Sequence, residues 1–285
     1  RAQAIESEPL NLTPDFDSVS SAFLESRQKA WKQFQTLPFP SDKDEAWKRT
    51  SLRLLNLGSL VALGQNQNTQ TIPEALTKPL ADDLHGGQII IADAAVSIQL
   101  DDEYKRQGVI FTDLLNAQKE HPEILNTVIT ANPSSGDDKF AMLATAFATN
   151  GVLLYVPKNV RIDKPLHSLF WTTAENTLHA VKVFVYLEEQ ASATYVLESS
   201  SPQMNTTSGV HAGVIEVYAG PGSRLNFVEL QSFGPQVWNF TREKVNVDRD
   251  AEVDWIFGAL GSHLTKNFSD LNLVGQGAVG KMSGF

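Results

Sequence analysis

The chain has no cysteine among its 285 residues. That excludes a disulfide and a thiolate metal site. It has no apolar run approaching the roughly 20 residues that span a bilayer, so no membrane partner is expected. It is short of positive charge: 23 Lys and Arg stand against 33 Asp and Glu, a formal charge of −10 with a pI near 5.1. No nucleic-acid footprint is expected from that balance. The chain opens on Arg1 rather than Met, which points to a trimmed or processed start, and nothing near it reads as a signal peptide. Asn-x-Ser/Thr triplets begin at Asn11, Asn205, Asn239 and Asn267; without a secretory signal they read as chance matches. A cytoplasmic protein is the expectation. Its hydrophobic content of 42% is enough for a real core.

What the sequence does contain is a repeat. Five segments begin at Val160, Ala191, Ser223, Ala251 and Ala278. The middle three follow one pattern: small, polar, apolar, polar, aromatic. Their aromatics are Tyr195, Phe227 and Trp255. A loose period of about 30 residues marks a solenoid, whose units bury their apolar faces only by stacking. The unit is strand. Val181, Val183, Val185 and Leu187 alternate with Lys182, Phe184, Tyr186 and Glu188, a period of two. Turn chemistry lies between the strands at Gly220-Pro221-Gly222, Asp248-Arg249-Asp250 and Gly275-Gln276-Gly277. An antiparallel sandwich would also give short strands. The recurring motif favours a parallel β-helix with stacked columns: Tyr195, Phe227 and Trp255 in one, Ala193, Leu225 and Val253 in another.

Before the repeat the patterning is mixed. Thr13-Pro14 can start a helix, and Phe16, Val19, Phe23, Ala30 and Phe34 predict one over 15–35, with Glu25 and Lys29 as a supporting pair. Leu37 to Ser41 ends it. A short helix or turn through Trp47 follows. Residues 64–80 read as a polar loop. Gln88 to Leu100 reads as one or two strands, Thr112 to Thr130 as helix, Pro133 to Gly136 as a break, and Phe140 to Thr149 as an Ala-rich helix. The expected organisation is a helical amino-terminal domain with linker over 1–85, a mixed α/β connecting segment over 86–150, and a β-helix core over 151–285.

Candidate chemistry is sparse. Gly275 to Lys281 contains GxGxxG and nearly spells a phosphate-binding loop. Its next position is Met282 instead of Ser or Thr, and Ser283-Gly284 is a poor helix start. A turn between strands is the plainer reading. His85, His121, His167, His179, His211 and His263 show no ligand spacing, although solenoid columns could bring some of the last four together. Asp248, Asp250 and Asp254 could imitate the calcium carboxylates of a β-helix polysaccharide lyase, but Asp flanking a turn is the commoner use.

Taken in order, the chain resembles the SufB/SufD family of the SUF iron–sulfur cluster assembly system, most closely its SufD branch. Leu37-Pro38-Phe39-Pro40 with Asp44 to Leu52 is similar to the family's "P…E-x-W-K-x-T-x-L" segment, with Arg49 where an aromatic is usual. Phe140 to Pro165, Gly213 to Phe227, and Phe257 to Val279 with Thr265-Lys266 for a Ser-Lys pair resemble three further core stretches.

The resemblance implies a right-handed parallel β-helix behind a helical amino-terminal domain. It implies a non-enzymatic scaffold that pairs with a SufB-like subunit and, through carboxy-terminal helices, with a SufC-like ATPase. The nascent cluster is attributed mainly to SufB thiolates, with a SufD His near the shared interface. No functional residue is carried over, so no catalytic residue and no metal ligand is assigned, and cofactor-binding residues stay unassigned. No cofactor is expected on this chain alone; the Fe–S cluster would be assembled with the partner, which suits a cysteine-free subunit. The family's core continues beyond the equivalent of Phe285. The β-helix is therefore expected to be incomplete there and to end on an uncovered coil with Leu271, Leu273, Val279 and Met282, a face through which a homodimer could form. The alternatives from other classes are a β-helix carbohydrate-active enzyme, lyase or glycosidase, and a plain interaction solenoid.

Overall fold

The structure is a computed structural model and describes residues 10–16, 21–62, 72–78, 84–93, 95–131, 138–173, 176–203 and 209–285. Val19, the Gln65 to Asn68 tract, Pro79, the Pro133 to Gly136 break and Asn205 lie outside the described residues.

In chain order the elements are α1 (Ser21–Thr36), a 3-10 turn (Glu45–Trp47), β1 (Val61–Ala62), α2 (Glu74–Thr77), β2 (Gly87–Ala92), β3 (Ala95–Leu100), α3 (Asp102–Arg106), β4 (Ile110–Asp113), α4 (Leu114–Glu120), α5 (Pro122–Ala131) and α6 (Lys139–Phe147). Then come β5 (Asn150–Val156), β6 (Leu166–Trp171), β7 (Thr177–Leu187), β8 (Ser192–Ser200), β9 (Gly209–Ala219), β10 (Arg224–Phe233), β11 (Val237–Val247), β12 (Glu252–Gly261), β13 (Leu264–Leu273) and β14 (Val279–Gly284).

From β5 onward the strands alternate between two sheets, and every pairing among them is parallel. One sheet runs β13-β11-β9-β7-β5-β4 and the other β14-β12-β10-β8-β6-β2-β3. This is a β-solenoid of about four turns, as the repeat predicts. Tyr195, Phe227 and Trp255 occupy one register column. Their rings stack at 5.2 Å and then meet edge-on at 4.1 Å, all fully buried. Ala193, Leu225 and Val253 form the next column. The last repeat also fits, since Met282 pairs with Trp255. The first one slips: Arg161 pairs with Ser192, but Tyr195 then faces Leu166 instead of Lys164. The two extra residues contain Pro165, which cannot donate to the ladder.

A turn ladder sets the period. Asn159, Gln190, Gly222, Asp250 and Gly277 each take a left-handed backbone, with φ from 56° to 74°. Backbone bonds of 2.8–3.0 Å tie successive turns, for instance Gly222 N–H to the Arg249 carbonyl and Asp250 N–H to the Gln276 carbonyl. The residue that opens each repeat, Val160 in the first and Ala or Ser in the others, directly follows the left-handed position.

Three stretches differ from expectation. Asp15 and Phe16 are not helical, and α1 is described over Ser21–Thr36. The helix expected over 112–130 is a strand end followed by two helices. Pro122 breaks it, because its ring displaces the preceding residue from helical geometry, and Asp113 caps the first helix by accepting from Leu115 and Asn116 N–H. Finally, β2 and β4 join the two sheets, so residues within 86–113 extend the solenoid at its first coil; β2 pairs parallel with β6, while β3 and β4 turn antiparallel.

The helices cover the outer face of the β5-β7-β9-β11 sheet. Phe23, Leu114, Leu125 and Val128 pack on Leu153 and Phe184. Phe34, Trp47 and α6 pack on Val210, Ala212, Trp238 and Phe240, with Phe140 stacked on Phe240 at 3.8 Å. Coverage on both faces explains why β7 and β9 are buried almost throughout. Two cations lock α1 to α6. Arg27 Nε donates to the Ala146 carbonyl at 3.0 Å, in the last turn of α6. Lys139 Nζ donates to the Phe34 carbonyl at 2.8 Å, near the end of α1. Cations at helix ends also oppose the dipole.

Candidate functional site

Inward-facing side chains of the solenoid divide into two halves. Near the turn ladder they are apolar: Val185, Leu187, Val217, Ala219, Val245 and Val247 face Ala193, Leu225 and Val253. At the other ends of the same strands they are polar and still buried. His179 and His211 pair in register on β7 and β9, with Nδ1 atoms 2.9 Å apart. One ring must donate and the other accept, so the accepting ring is a neutral imidazole at this contact. Burial pushes His179 down to about 4 and holds His211 well below the ordinary histidine range. Phe170 and Phe233 flank the pair. Beside it lies a cavity of about 10 Å³ lined by Thr172, Thr177 and Ser201, roughly the room one water needs.

The next coil continues the polar column. Asn239 Nδ2 donates to Gln231 Oε1 at 3.3 Å, Thr241 Oγ1 donates to Asn239 Oδ1 at 2.9 Å, and Thr265 Oγ1 donates to Gln231 Oε1 at 3.0 Å. Glu243 accepts from Asn267 Nδ2 and Ser269 Oγ. Burial raises Glu243 to about 7, and burial together with the Glu243 charge raises Glu229 well above the carboxylate range. Two carboxyls sharing a dry interior cannot both ionise cheaply. On the outer face, Lys182 and Glu216 make a buried ion pair at 3.3 Å under the helices.

Of the six histidines, only His179 and His211 come together. His167 faces outward between Gln88 and Glu198, and His263 is exposed beside Trp238. Asp248 accepts from the Tyr218 hydroxyl and the Arg249 N–H, Asp250 sits in its turn, and Asp254 lies in the column between Asn226 and Lys281. They do not converge; among the described residues no group of three or more His, Cys, Asp or Glu is placed to hold a metal ion. Gly275 to Gly277 is a turn in the ladder, followed by β14 and not by a helix. Lys281 is paired to Glu252 at 2.8 Å. Asn239 and Asn267 donate to Gln231 and Glu243 in the lumen. No described helix is long and apolar enough to cross a membrane.

Sequence reading missed the Glu229–Glu243 pair and the Gln231–Asn239–Thr241 chain. A signal existed for part of it: His179 and His211 are 32 residues apart, the same offset as Tyr195 and Phe227. The others sit at inward parity, which identifies them only once the register of each strand is known.

Fold and lumen define a parallel β-solenoid with a helical outer layer and a hydrogen-bonded polar interior. Residues 15–167 match the SufBD protein N-terminal region, and residues 170–285 match the SufBD core domain of SUF system FeS cluster assembly. The chain belongs to the SufBD family. It is 31% identical over 209 residues to an iron-sulfur cluster assembly SufBD family protein of Staphylococcus haemolyticus, covering 73% of this chain and 44% of that one. Proteins of the same description from Staphylococcus epidermidis and Staphylococcus aureus are 30% identical over the same coverage. The chain thus spans less than half the length of the curated relatives it matches.

Proposed function

We propose that this chain is a scaffold component of SUF iron–sulfur cluster assembly in the cytoplasm, of the SufD type, and that it performs no catalysis itself. It acts with a SufB-like partner and a SufC-like ATPase, and the Fe–S cluster is cargo assembled with the partner. In this reading the division is a helical amino-terminal region up to residue 85, a connecting segment over 86–150 whose β2 and β4 extend the first coil, and a β-helix core over 151–285. The observation that carries this reading is the match of both family regions, in order, along one chain. The absence of cysteine supports a subunit that supplies no thiolate to the cluster. A solenoid held by regular backbone ladders suits a rigid scaffold, because each coil is fixed by its neighbours.

The test is co-expression of the chain with SufB-like and SufC-like proteins from its own source, followed by affinity purification and iron analysis. The expected result is a complex containing the SufB-like subunit, with cluster absorbance that depends on that subunit's cysteines. Purification of this chain alone under the same conditions, with cluster assembly unaffected by its omission, would refute the proposal.

A further inference from the structure

The outer face of the β5-β7-β9 sheet carries a second aromatic column. Tyr155, Tyr186 and Tyr218 fall in one register across β5, β7 and β9. Their rings stack nearly parallel, at 6.0 Å and 21° between Tyr155 and Tyr186 and at 4.8 Å and 24° between Tyr186 and Tyr218. The ladder imposes that spacing, because neighbouring strands lie about 4.8 Å apart. Unlike the Tyr195 column, this one is only half-buried. Two of its hydroxyls end on carboxylates. Tyr155 donates to Glu188 Oε1 at 2.7 Å, and Tyr218 donates to Asp248 Oδ2 at 2.8 Å. Burial, together with those carboxylates, raises both phenols above the ordinary tyrosine range, so each keeps its proton and has a base in place to receive it. The other two tyrosines, Tyr104 and Tyr195, are buried. The chain has no thiol, ordinarily a preferred target of oxidants. Methionine answers oxidants differently, by taking up an oxygen atom.

We propose that the Tyr155–Tyr186–Tyr218 ladder is a site of one-electron oxidation, at which Tyr186 and Tyr218 become joined ring to ring across two coils. The co-reactant is a one-electron oxidant in solution, two equivalents for each link. Each equivalent removes one electron from a phenol. The Tyr218 hydroxyl proton passes to Asp248, and that of the half-buried Tyr186 passes to solvent. The two phenoxyl radicals pair to form one carbon–carbon bond between ring positions ortho to oxygen. Each coupled carbon then sheds its hydrogen as the ring becomes aromatic again, and each oxygen takes a proton back. The product is lighter by two hydrogens. Radicals on neighbouring rungs are already in contact, whereas free phenoxyl radicals must meet by diffusion. Tyr186 couples with Tyr218 in preference to Tyr155 because that pair is the closer. This site is separate from the lumen and from the proposed assembly role, so either can fail without the other.

The test oxidises the full chain with photogenerated tris(bipyridine)ruthenium(III), a one-electron oxidant. Dityrosine fluorescence follows the reaction, and peptide mass spectrometry locates the link. The expected product is an intramolecular Tyr186–Tyr218 link, at the monomer mass less two hydrogens, whose yield per chain does not change on dilution. Tyr218→Phe, which keeps the ring and the stack, should abolish it, and Tyr155→Phe should leave most of it. Asp248→Asn keeps an acceptor for the Arg249 N–H but cannot take the phenol proton. It should slow the link several-fold and make the rate rise with buffer base, to which the native rate is insensitive; a purely structural role for Asp248 would not introduce that dependence. A link made mainly between molecules, Tyr155–Tyr186 coupling at least as often as Tyr186–Tyr218, or oxidation that leaves the ladder unlinked overturns the proposal.

Discussion

His179 and His211 meet inside the solenoid through their Nδ1 atoms at 2.9 Å, one coil apart and out of contact with bulk water. Such a pair shares one N–H at the contact, and its burial disfavours charge on either ring. In the unfolded chain each ring binds a proton near pH 6.5; in the fold His179 does so only near 4. The folded pKa is depressed, so the unfolded state takes up more protons as pH falls below 6.5. Stability is full above that value and is lost progressively on acidification. For His179 alone the loss on reaching pH 4 is roughly 3 kcal/mol. Urea unfolding between pH 7 and 4 measures it. The His179→Asn, His211→Asn double variant should show a flatter acid limb; an unchanged slope refutes the assignment.

Glu243 pushes the other way. Its folded pKa of about 7 lies above the ordinary 4.5. The fold therefore holds the proton more tightly, and stability falls as pH rises from 4.5 through 7. Glu243→Gln keeps an acceptor for Asn267 and Ser269 without a charge to desolvate. That variant should gain on the native chain between pH 5 and 8, by about 1–3 kcal/mol at the upper end. Matched denaturation midpoints at those two pH values give the answer, and a variant that loses ground with rising pH contradicts the shared-proton picture.

Phe227 is fully buried between Tyr195 and Trp255. Phe227→Ala leaves a cavity that rigid neighbouring coils cannot collapse into. The expected cost is about 3–5 kcal/mol. Phe227→Leu, which keeps most of the volume, should cost under half of that, and chemical denaturation followed by tryptophan fluorescence separates the two.

Gly222 carries a φ of +66° in the turn ladder. A Cβ there would sit 1.9 Å from Gln190 Nε2, a flexible tip that can move aside, so backbone strain decides the outcome. Gly222→Ala should cost about 1–2 kcal/mol. At the equivalent left-handed position one coil earlier, Gln190→Gly should be neutral or slightly stabilising, because there the glycine relieves strain. Thermal midpoints moving in the same direction for both variants would count against the ladder.

Much of the fold is legible in the sequence because a solenoid writes its period there. Each coil must present the same small residue after a left-handed turn and the same apolar side chain inward, so Ala191-Ser192-Ala193-Thr194-Tyr195 and its counterparts announce the stacking before any coordinates exist. Alternation along β10 and the helical spacing of Phe23, Ala30 and Phe34 are local in the same way. Pro122 was equally local, a helix break visible in the sequence but read through.

What only the tertiary structure decided is non-local. The recruitment of β2 and β4 into the sheets depends on pairing partners some 40 to 80 residues away. A cavity between the 37–47 segment and β13 depends on Phe39, Trp47, Lys139, Arg242 and Phe268, drawn from four separate stretches of chain. The polar lumen lay in between. Its residues sit at inward parity, but a period-two pattern marks a polar residue as outward unless the register is already known. By itself the sequence determined the repeating strand, its turns and the period of stacking, because those follow from steric rules within one coil. Which polar side chains are dry, paired and shifted in pKa was settled only when the coils stacked, since burial and partner distance are properties of neighbours that no single coil contains.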